Sequence, residues 1–142
     1  MPTLTQGDGD DLLAKYRRAR EARDVDAVME LYREDADLRP DPFADHLGGA
    51  LAIRAHWNAV AASQANVEFD AERTWVAGST VFAAWHGAWT LRATAARVRG
   101  RGFATFELDD ERRIVRERHW TLERVVGRDA TFEPEPPAGA AG

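Results

Sequence analysis

Four residues of this chain carry side chains suited to proton transfer, namely Tyr16, Asp41, His86 and His119. A tyrosine hydroxyl can donate a hydrogen bond to a substrate oxygen, an aspartate removed from water can act as a general base, and a histidine can take or give a proton near neutral pH. Each type also has an ordinary role as a core tyrosine, a turn aspartate before proline or a histidine on a solvated strand face. The elements that carry these residues decide which role applies.

Several other kinds of chemistry lack their residues. The chain of 142 residues contains no cysteine, which excludes disulfides and thiolate chemistry. His46 and His56 have no partner at metal-ligand spacing, and neither Ser63 nor Ser79 lies in a Gly-x-Ser-x-Gly turn. We therefore predict no metal, no cofactor and no serine nucleophile.

Charge and hydropathy restrict the partners. The net charge is -5, from 24 acidic and 19 basic residues, which disfavours nucleic acid and anionic membranes as partners. No apolar run approaches the roughly 20 residues of a membrane-spanning helix, and the first residues lack the basic and apolar parts of a secretory signal. We expect a cytoplasmic protein with no nucleic-acid or membrane partner.

The first half of the chain has helical spacing. Apolar residues recur every three or four positions between Leu12 and Ala19, which predicts a helix over 10–23 with Tyr16 on its apolar face. Asp24 is a suitable N-cap for a second helix, and a third is predicted over 49–63.

The second half has the pattern of strands. Prolines within 36–43 predict an edge strand or an irregular one. Four further strands are predicted at 67–77, 80–93, 97–109 and 113–125. Their short connections favour antiparallel hairpins. This order predicts one α+β domain over 10–127, in which three N-terminal helices cover a curved antiparallel sheet and enclose a pocket for a small apolar molecule. Residues 1–9 and the Pro/Ala/Gly-rich residues 128–142 are predicted to be flexible.

Three segments carry a resemblance to a known family. They are LLAKYRRAREARDVDAVMELYREDADLRPDPF, GGALAIRAHW and FELDDERRIVRERHW. Over about residues 10–125 the chain resembles the NTF2-like superfamily, which includes ketosteroid isomerases, SnoaL-like polyketide cyclases and nuclear transport factor 2. The resemblance implies a cone-shaped fold, and it says little about activity because this fold carries many functions.

The resemblance also implies roles for single residues. Tyr16 falls on the oxyanion-hole tyrosine of the ketosteroid isomerases, and Tyr32 and Trp57 fall on its supporting tyrosines. Asp41 matches the catalytic base, provided that a bulge just before it turns its side chain inward. Ala104 falls where the family has a second oxyanion donor, an aspartic acid, so steroid isomerisation itself is not expected.

Strand alternation leaves the direction of one histidine open. Either His86 faces the pocket, or Trp85 and Trp89 do. If His86 pairs opposite Ala104, it replaces the missing acid as a proton donor or base. In the other register the tryptophans form pocket walls.

The last strand offers a second pair of alternatives. Trp120 matches a pocket tryptophan of the family, and alternation then brings Arg118 to the same face, where it binds a substrate carboxylate or enolate or pairs with Asp41. In the opposite register His119 faces inward and forms a histidine pair with His86, an arrangement similar to scytalone dehydratase.

The preceding strand bears on the size of the pocket. Gly100 and Gly102 alternate with the same face as Ala104 and Phe106. If that face is concave, Phe106 contacts the substrate and the glycines enlarge the pocket for a polycyclic or polyketide-like compound.

These observations together predict a cofactor-independent enzyme that isomerises, cyclises, dehydrates or hydrolyses a small apolar, polycyclic substrate by acid–base catalysis. The alternative is a non-catalytic ligand-binding or accessory protein of the same fold. Trp85 and Trp89 would form an exposed apolar patch if they lay on the convex face, and a homodimer through the sheets is expected.

Overall fold

The computed structural model describes residues 2–134, which form three helices and six strands. The elements are α1 (Gln6–Ala22), α2 (Val25–Met29), β1 (Tyr32–Arg39), β2 (Leu47–Gly48), α3 (Ala50–Ser63), β3 (Gln64–Ala77), β4 (Thr80–Leu91), β5 (Ala96–Leu108) and β6 (Ile114–Arg128). One sheet contains all six strands in the order β2-β1-β6-β5-β4-β3. The predicted α+β class, with N-terminal helices over a curved sheet, is confirmed.

The first helix begins earlier than its apolar spacing predicts. Thr5 and Asp8 form a capping box at its N-terminus, each side chain bonding the other residue's backbone N–H. Leu4 is buried in the core, and its amide donates to Gly78 O at 2.9 Å. Helix α1 therefore begins within residues 1–9, whose flexibility stays a prediction.

The other two helices follow their predicted signals. Asp24 caps α2 by accepting from the amide of Ala27 at 3.0 Å, as its position before an apolar stripe predicts. Helix α3 begins at Ala50 after Gly49, whose φ of 88° lies in a region that favours glycine.

Strand β1 differs from its prediction in both position and pairing. It ends at Arg39, before the two prolines, so it needs no amide from Pro40 or Pro42. It lies inside the sheet between β2 and β6 and runs parallel to β6, whereas the remaining pairs are antiparallel. The bounds expected for this strand, 36–43, are therefore corrected to Tyr32–Arg39, and its position is inside the sheet and not at an edge. The expected irregularity is confirmed, because the register with β6 shifts between Tyr32 and Asp37.

The indoles of β4 lie on the concave face of the sheet. Trp85 and Trp89 are buried, and the half-exposed ring of His86 lies on the outer face. His86 pairs with Arg101, and Ala104 pairs with Ala83, so the predicted pairing of His86 with Ala104 is wrong. The register that makes the tryptophans pocket walls is the one that the structure has.

The two glycines of β5 make room for these indoles. A Cβ on Gly100 would lie 2.6 Å from the Trp89 ring, and one on Gly102 would lie 2.8 Å from the Trp85 ring. Both distances are far below van der Waals contact. The glycines do face the concave side as predicted, but indole rings fill the space above them, so they do not enlarge the pocket.

A bulge changes the direction of side chains along β6. Ile114 pairs with Leu108, and the next pair is Arg116 with Glu107, so the register slips by one residue. Ile114 is fully buried, and after the slip Glu117 and not Arg116 faces inward.

The C-terminal end of β6 is held to the sheet. The carboxylate of Asp129 accepts hydrogen bonds from Asn66 at 2.9 Å and from Thr90 at 2.6 Å. Bonds from Thr131, Thr90 and Asn66 hold the pKa of Asp129 well below its usual value. The flexibility expected for residues 128–142 stays a prediction, and the part of that segment from 135 lies outside the described residues. Across residues 2–134, no helix is both long and apolar enough to cross a membrane.

We expect Gly102→Ala to destabilise the fold by about 1–3 kcal/mol, because its Cβ would also lie 2.7 Å from the carbonyl oxygen of Trp120. Gly7→Ala is the matched control, since its Cβ would meet only the Thr5 hydroxyl, at 3.6 Å, in the first turn of α1. Urea unfolding measures both. An unchanged unfolding free energy for Gly102→Ala would contradict the packing described here.

Candidate active site

A cavity of about 280 Å³ lies between helices α1 and α3 and the concave face of the sheet. Much of its wall is apolar, formed by Leu38, Phe69, Trp85 and Trp89 among others. The polar and charged side chains on its wall and rim are Tyr16, Arg20, Asp41, His56, Gln64, His119, Thr121 and Glu123. The predicted pocket is therefore present, and it is more polar than a purely apolar ligand requires.

Beside this cavity lies a carboxylate removed from water. Glu117 is fully buried, and it is the only buried acidic residue among residues 2–134. Its Oε1 accepts a hydrogen bond from the Tyr32 hydroxyl at 2.7 Å, and its Oε2 lies 2.5 Å from His119 Nε2. Trp57 Nε1 in turn donates to the Tyr32 oxygen at 3.0 Å. These bonds offset the large cost of taking a carboxylate out of water.

Three elements bring this group together. Tyr32 is the first residue of β1, Trp57 lies on α3, and Glu117 lies on β6 opposite Leu38 of the parallel strand β1. Burial, followed by the charge of Glu117, raises the pKa of Tyr32 well above its usual value. Tyr32 therefore stays protonated and serves as a hydrogen-bond donor.

His119 combines contact with the carboxylate and access to the cavity. An ionised carboxylate can only accept hydrogen bonds, so the short contact with Glu117 assigns the proton to Nε2 of His119. Its Nδ1 then keeps a free lone pair, on a ring that lines the cavity. The Phe106 ring packs against His119 with the centroids 6.0 Å apart. The arrangement leaves one imidazole nitrogen able to accept a proton.

Tyr16 presents the opposite property, a donor without an acceptor. The side chain is fully buried, and its hydroxyl has no hydrogen-bond partner among the described residues. The rings of Trp57, Phe69 and Phe106 surround it edge-on at 5.1–6.0 Å. Burial, followed by the charge of Glu117, raises the pKa of Tyr16, which keeps the hydroxyl protonated. The hydroxyl therefore keeps a hydrogen-bond donor that no described residue uses.

His56 from α3 also borders the cavity, with its ring 5.0 Å from that of Trp57. Partial burial lowers the pKa of His56, the charge of Glu117 opposes this shift, and the charge of Arg20 adds to it. His56 is therefore neutral at pH 7 and responds to the charges of the site.

A protein-family model described as a SnoaL-like domain matches residues 13–117, which is more than half of the chain. The chain belongs to the SnoaL-like family. No curated protein matches it.

Solved structures support the fold of this SnoaL-like chain. The epoxide hydrolase/cyclase-like enzyme SalBIII, which has a role in pyran ring formation in the polyether salinomycin, is 22% identical, with a TM-score of 0.76 over 84% of this chain and 97% of that one. A putative SnoaL-like polyketide cyclase from Shewanella denitrificans OS-217 is 14% identical, with a TM-score of 0.71 over 80% and 90% of the two chains. A computationally designed 17-OHP binder is 14% identical, with a TM-score of 0.71 over 82% and 98%.

Asp41 lies at the rim of the cavity of this SnoaL-like chain and is exposed. Its Oδ1 accepts from the backbone amides of Phe43 at 2.8 Å and Ala44 at 3.0 Å. No bulge turns it inward, because the irregularity of β1 lies between Tyr32 and Asp37 instead. The structure therefore gives Asp41 the turn-capping role and not the interior position that a general base requires.

Three other predicted site residues lie outside the cavity. His86 Nδ1 is 2.9 Å from Glu72 on the outer face. The Arg118 guanidinium donates to Asp37 at 2.9 Å. Partial desolvation alone would raise the pKa of Asp37, but the hydrogen bonds from Arg118 and His46 hold this pKa below its usual value. The Trp120 side chain is 45% exposed. Trp120 and Arg118 both point away from the cavity because His119, between them, points in.

The predicted residues that the structure does bring together are Tyr16, Tyr32, Trp57, Phe106 and His119. Glu117 and Arg20 were missed. One signal was available for Glu117. It lies two positions before His119, so on a regular strand both side chains point to the same face. Among residues 2–134, no group of three or more histidine, aspartate or glutamate side chains is placed to hold a metal ion.

His56 provides a direct measurement of this electrostatic arrangement. We expect its imidazole to titrate below 6.5, and Glu117→Gln to move the midpoint lower still, because the carboxylate charge favours the protonated ring. NMR titration of the ring resonances measures the midpoints. Glu72→Gln, which removes a carboxylate on the outer face of the sheet, is the control and should leave the His56 midpoint unchanged. A rise in the His56 midpoint would contradict the geometry.

Proposed function

We propose that this SnoaL-like protein is a cofactor-independent acid–base enzyme acting on a small, largely apolar molecule, as a cyclase, isomerase, dehydratase or hydrolase. The single observation that carries the proposal is the Glu117–His119 pair, which borders a cavity whose Tyr16 hydroxyl lacks an acceptor. A proton acceptor and a hydrogen-bond donor on one cavity are the two groups that proton transfer next to a substrate oxygen requires.

Each residue has a separate task in the proposed mechanism. His119 Nδ1 removes a proton from the substrate or from a water molecule, and the resulting imidazolium can return it to the product. Glu117 positions the ring and stabilises its positive charge, while Tyr32 and Trp57 hold the carboxylate. Tyr16 donates a hydrogen bond to the oxygen on which negative charge develops. SalBIII, an epoxide hydrolase/cyclase-like enzyme, shares the fold and supports this class of chemistry.

Elimination of 5-nitrobenzisoxazole tests the base without knowledge of the natural substrate. A base removes the single C–H proton of the heterocycle, the electron pair forms the nitrile, and the N–O bond breaks to give a coloured phenolate. We expect His119→Gln to lower kcat by about 100-fold or more, the usual contribution of a general base. Glu117→Gln should also lower kcat, because it removes the group that orients the ring.

His86→Gln is the matched control for this assay, since His86 forms a similar carboxylate contact on the outer face and should leave kcat unchanged. Equal rates for the wild-type protein and His119→Gln would remove His119 from the mechanism. If the wild-type protein binds the heterocycle but does not accelerate its elimination, the alternative of a non-catalytic ligand-binding protein is favoured.

The cytoplasmic location expected from the sequence stays a prediction.

We also propose a homodimer through the outer face of the sheet. Trp85 and Trp89 cannot supply the interface, because they are buried inside. An outer aromatic patch replaces them, formed by Trp75, Phe82, Phe103 and Trp120, with ring centroids 6.2–6.4 Å apart. Ion pairs with both signs of charge flank the patch, Arg101 with Glu72 and Arg116 with Glu107, which a twofold-related copy can complement.

Light scattering during size-exclusion chromatography tests the dimer. At micromolar concentration we expect twice the chain mass of 15.8 kDa for the wild-type protein and the monomer mass for Trp120→Arg. Phe43→Arg is the control, because Phe43 is 99% exposed and lies outside the patch. A monomeric wild-type protein would rule out this interface.

A further inference from the structure

Arg20 on α1 places a cation on the wall of the same cavity, one helical turn after Tyr16. Its guanidinium lies over the Trp57 ring, 5.0 Å from the centroid, and 6.0 Å from the centroid of Tyr16. Its Nη2 donates to Gln64 Oε1 at 3.3 Å. Stacking and this hydrogen bond hold the half-buried side chain in one orientation before any ligand arrives.

This guanidinium has no anion beside it. Among residues 2–134, no carboxylate lies within ion-pair distance of Arg20, whereas the guanidinium of Arg118 pairs with Asp37 at 2.9 Å. Asp41 and Glu123 border the cavity, but both are exposed and neither pairs with Arg20. A charge partly removed from water without a partner is costly, and a charged hydrogen bond from a ligand offsets that cost.

The buried carboxylate beside the cavity, Glu117, already has a hydrogen-bond partner on each oxygen. Both oxygens of Glu117 are occupied, by Tyr32 and His119. The cavity therefore has two separate polar regions, a proton-accepting one at His119 and a cationic one at Arg20. Both border the same cavity of about 280 Å³, close to the lower limit of ordinary ligand pockets at about 300 Å³.

We propose that Arg20, with the amide of Gln64, is the anion subsite of this cavity, and that the substrate is a small carboxylic acid with an apolar body. The planar guanidinium binds the carboxylate through paired N–H donors. The ring body of the acid lies against Phe69, Trp85 and Trp89. The inference rests on the proposed function, because it takes this cavity to be the substrate site. The small volume favours one or two rings over the polycyclic substrate expected from the sequence.

Calorimetric titration with a matched pair of probes, 1-naphthoic acid and 1-naphthamide, tests the subsite. The two compounds share their ring body and differ in charge. We expect the wild-type protein to bind the acid at least about 10-fold more tightly than the amide, as a charged hydrogen bond implies. Arg20→Gln should remove this preference and leave the affinity for the amide unchanged, which also shows that the variant is folded. Arg20→Lys should restore part of the preference.

Arg17→Gln is the matched control, because Arg17 lies on the same helix and pairs with Glu21 and Asp70 away from the cavity. It should keep the preference for the acid. Equal binding of acid and amide by the wild-type protein, no binding of the acid at millimolar concentration, or a preference that survives Arg20→Gln would each overturn the proposal. Binding is measured without turnover, so an acid preference in a protein with no elimination activity would support the anion subsite and count against the proposed enzyme.

Discussion

The buried carboxylate of Glu117 is the group on which the arrangement of the cavity depends. An unpaired carboxylate in this position would cost several kcal/mol, so the fold must bring donors to both of its oxygens. Tyr32 and His119 supply them, and Trp57 fixes the oxygen of Tyr32 from a third element. The parallel pairing of β1 with β6 is the topological feature that makes this possible, because it carries Tyr32 to the strand that bears the carboxylate. Structure and proposed chemistry thus rest on the same hydrogen bonds.

A second constraint decides how much of the concave face remains open. Gly100 and Gly102 let the indoles of Trp89 and Trp85 lie directly on the backbone of β5. Part of the concave face is thereby filled with aromatic rings, and the remaining space lies beside Tyr16 and His119. The glycines therefore shape the cavity by admitting large side chains and not by leaving space empty.

Much of the fold could be predicted because its signals are local. Asp24 predicts the start of a helix because it is a favourable N-cap residue. Strands β3 to β6 are predicted by their runs of strand-forming residues and the short connections between them. The direction of side chains on β6 could not be predicted, because the bulge after Ile114 depends on pairing with β5. Counting alternate residues from the buried Ile114 turns Arg118 inward, and the one-residue slip turns Glu117 and His119 inward instead. This one bulge therefore determines which residues of β6 face the cavity.

Buried hydrogen-bond donors without acceptors lower the stability of this fold. Among residues 2–134, the buried ring groups with no hydrogen-bond partner are the Tyr16 hydroxyl and the Trp85 indole N–H, and both residues line the same cavity. Each unsatisfied donor lowers the free energy of unfolding by about 1–3 kcal/mol. The stability of the fold therefore does not explain why these donors are present. Arg20 adds an unpaired cation to the same wall. A ligand with acceptor atoms relieves these costs only in the folded state, so its binding must also stabilise the fold. The donors that lower the stability of the fold are therefore the same donors that the proposed ligand would satisfy.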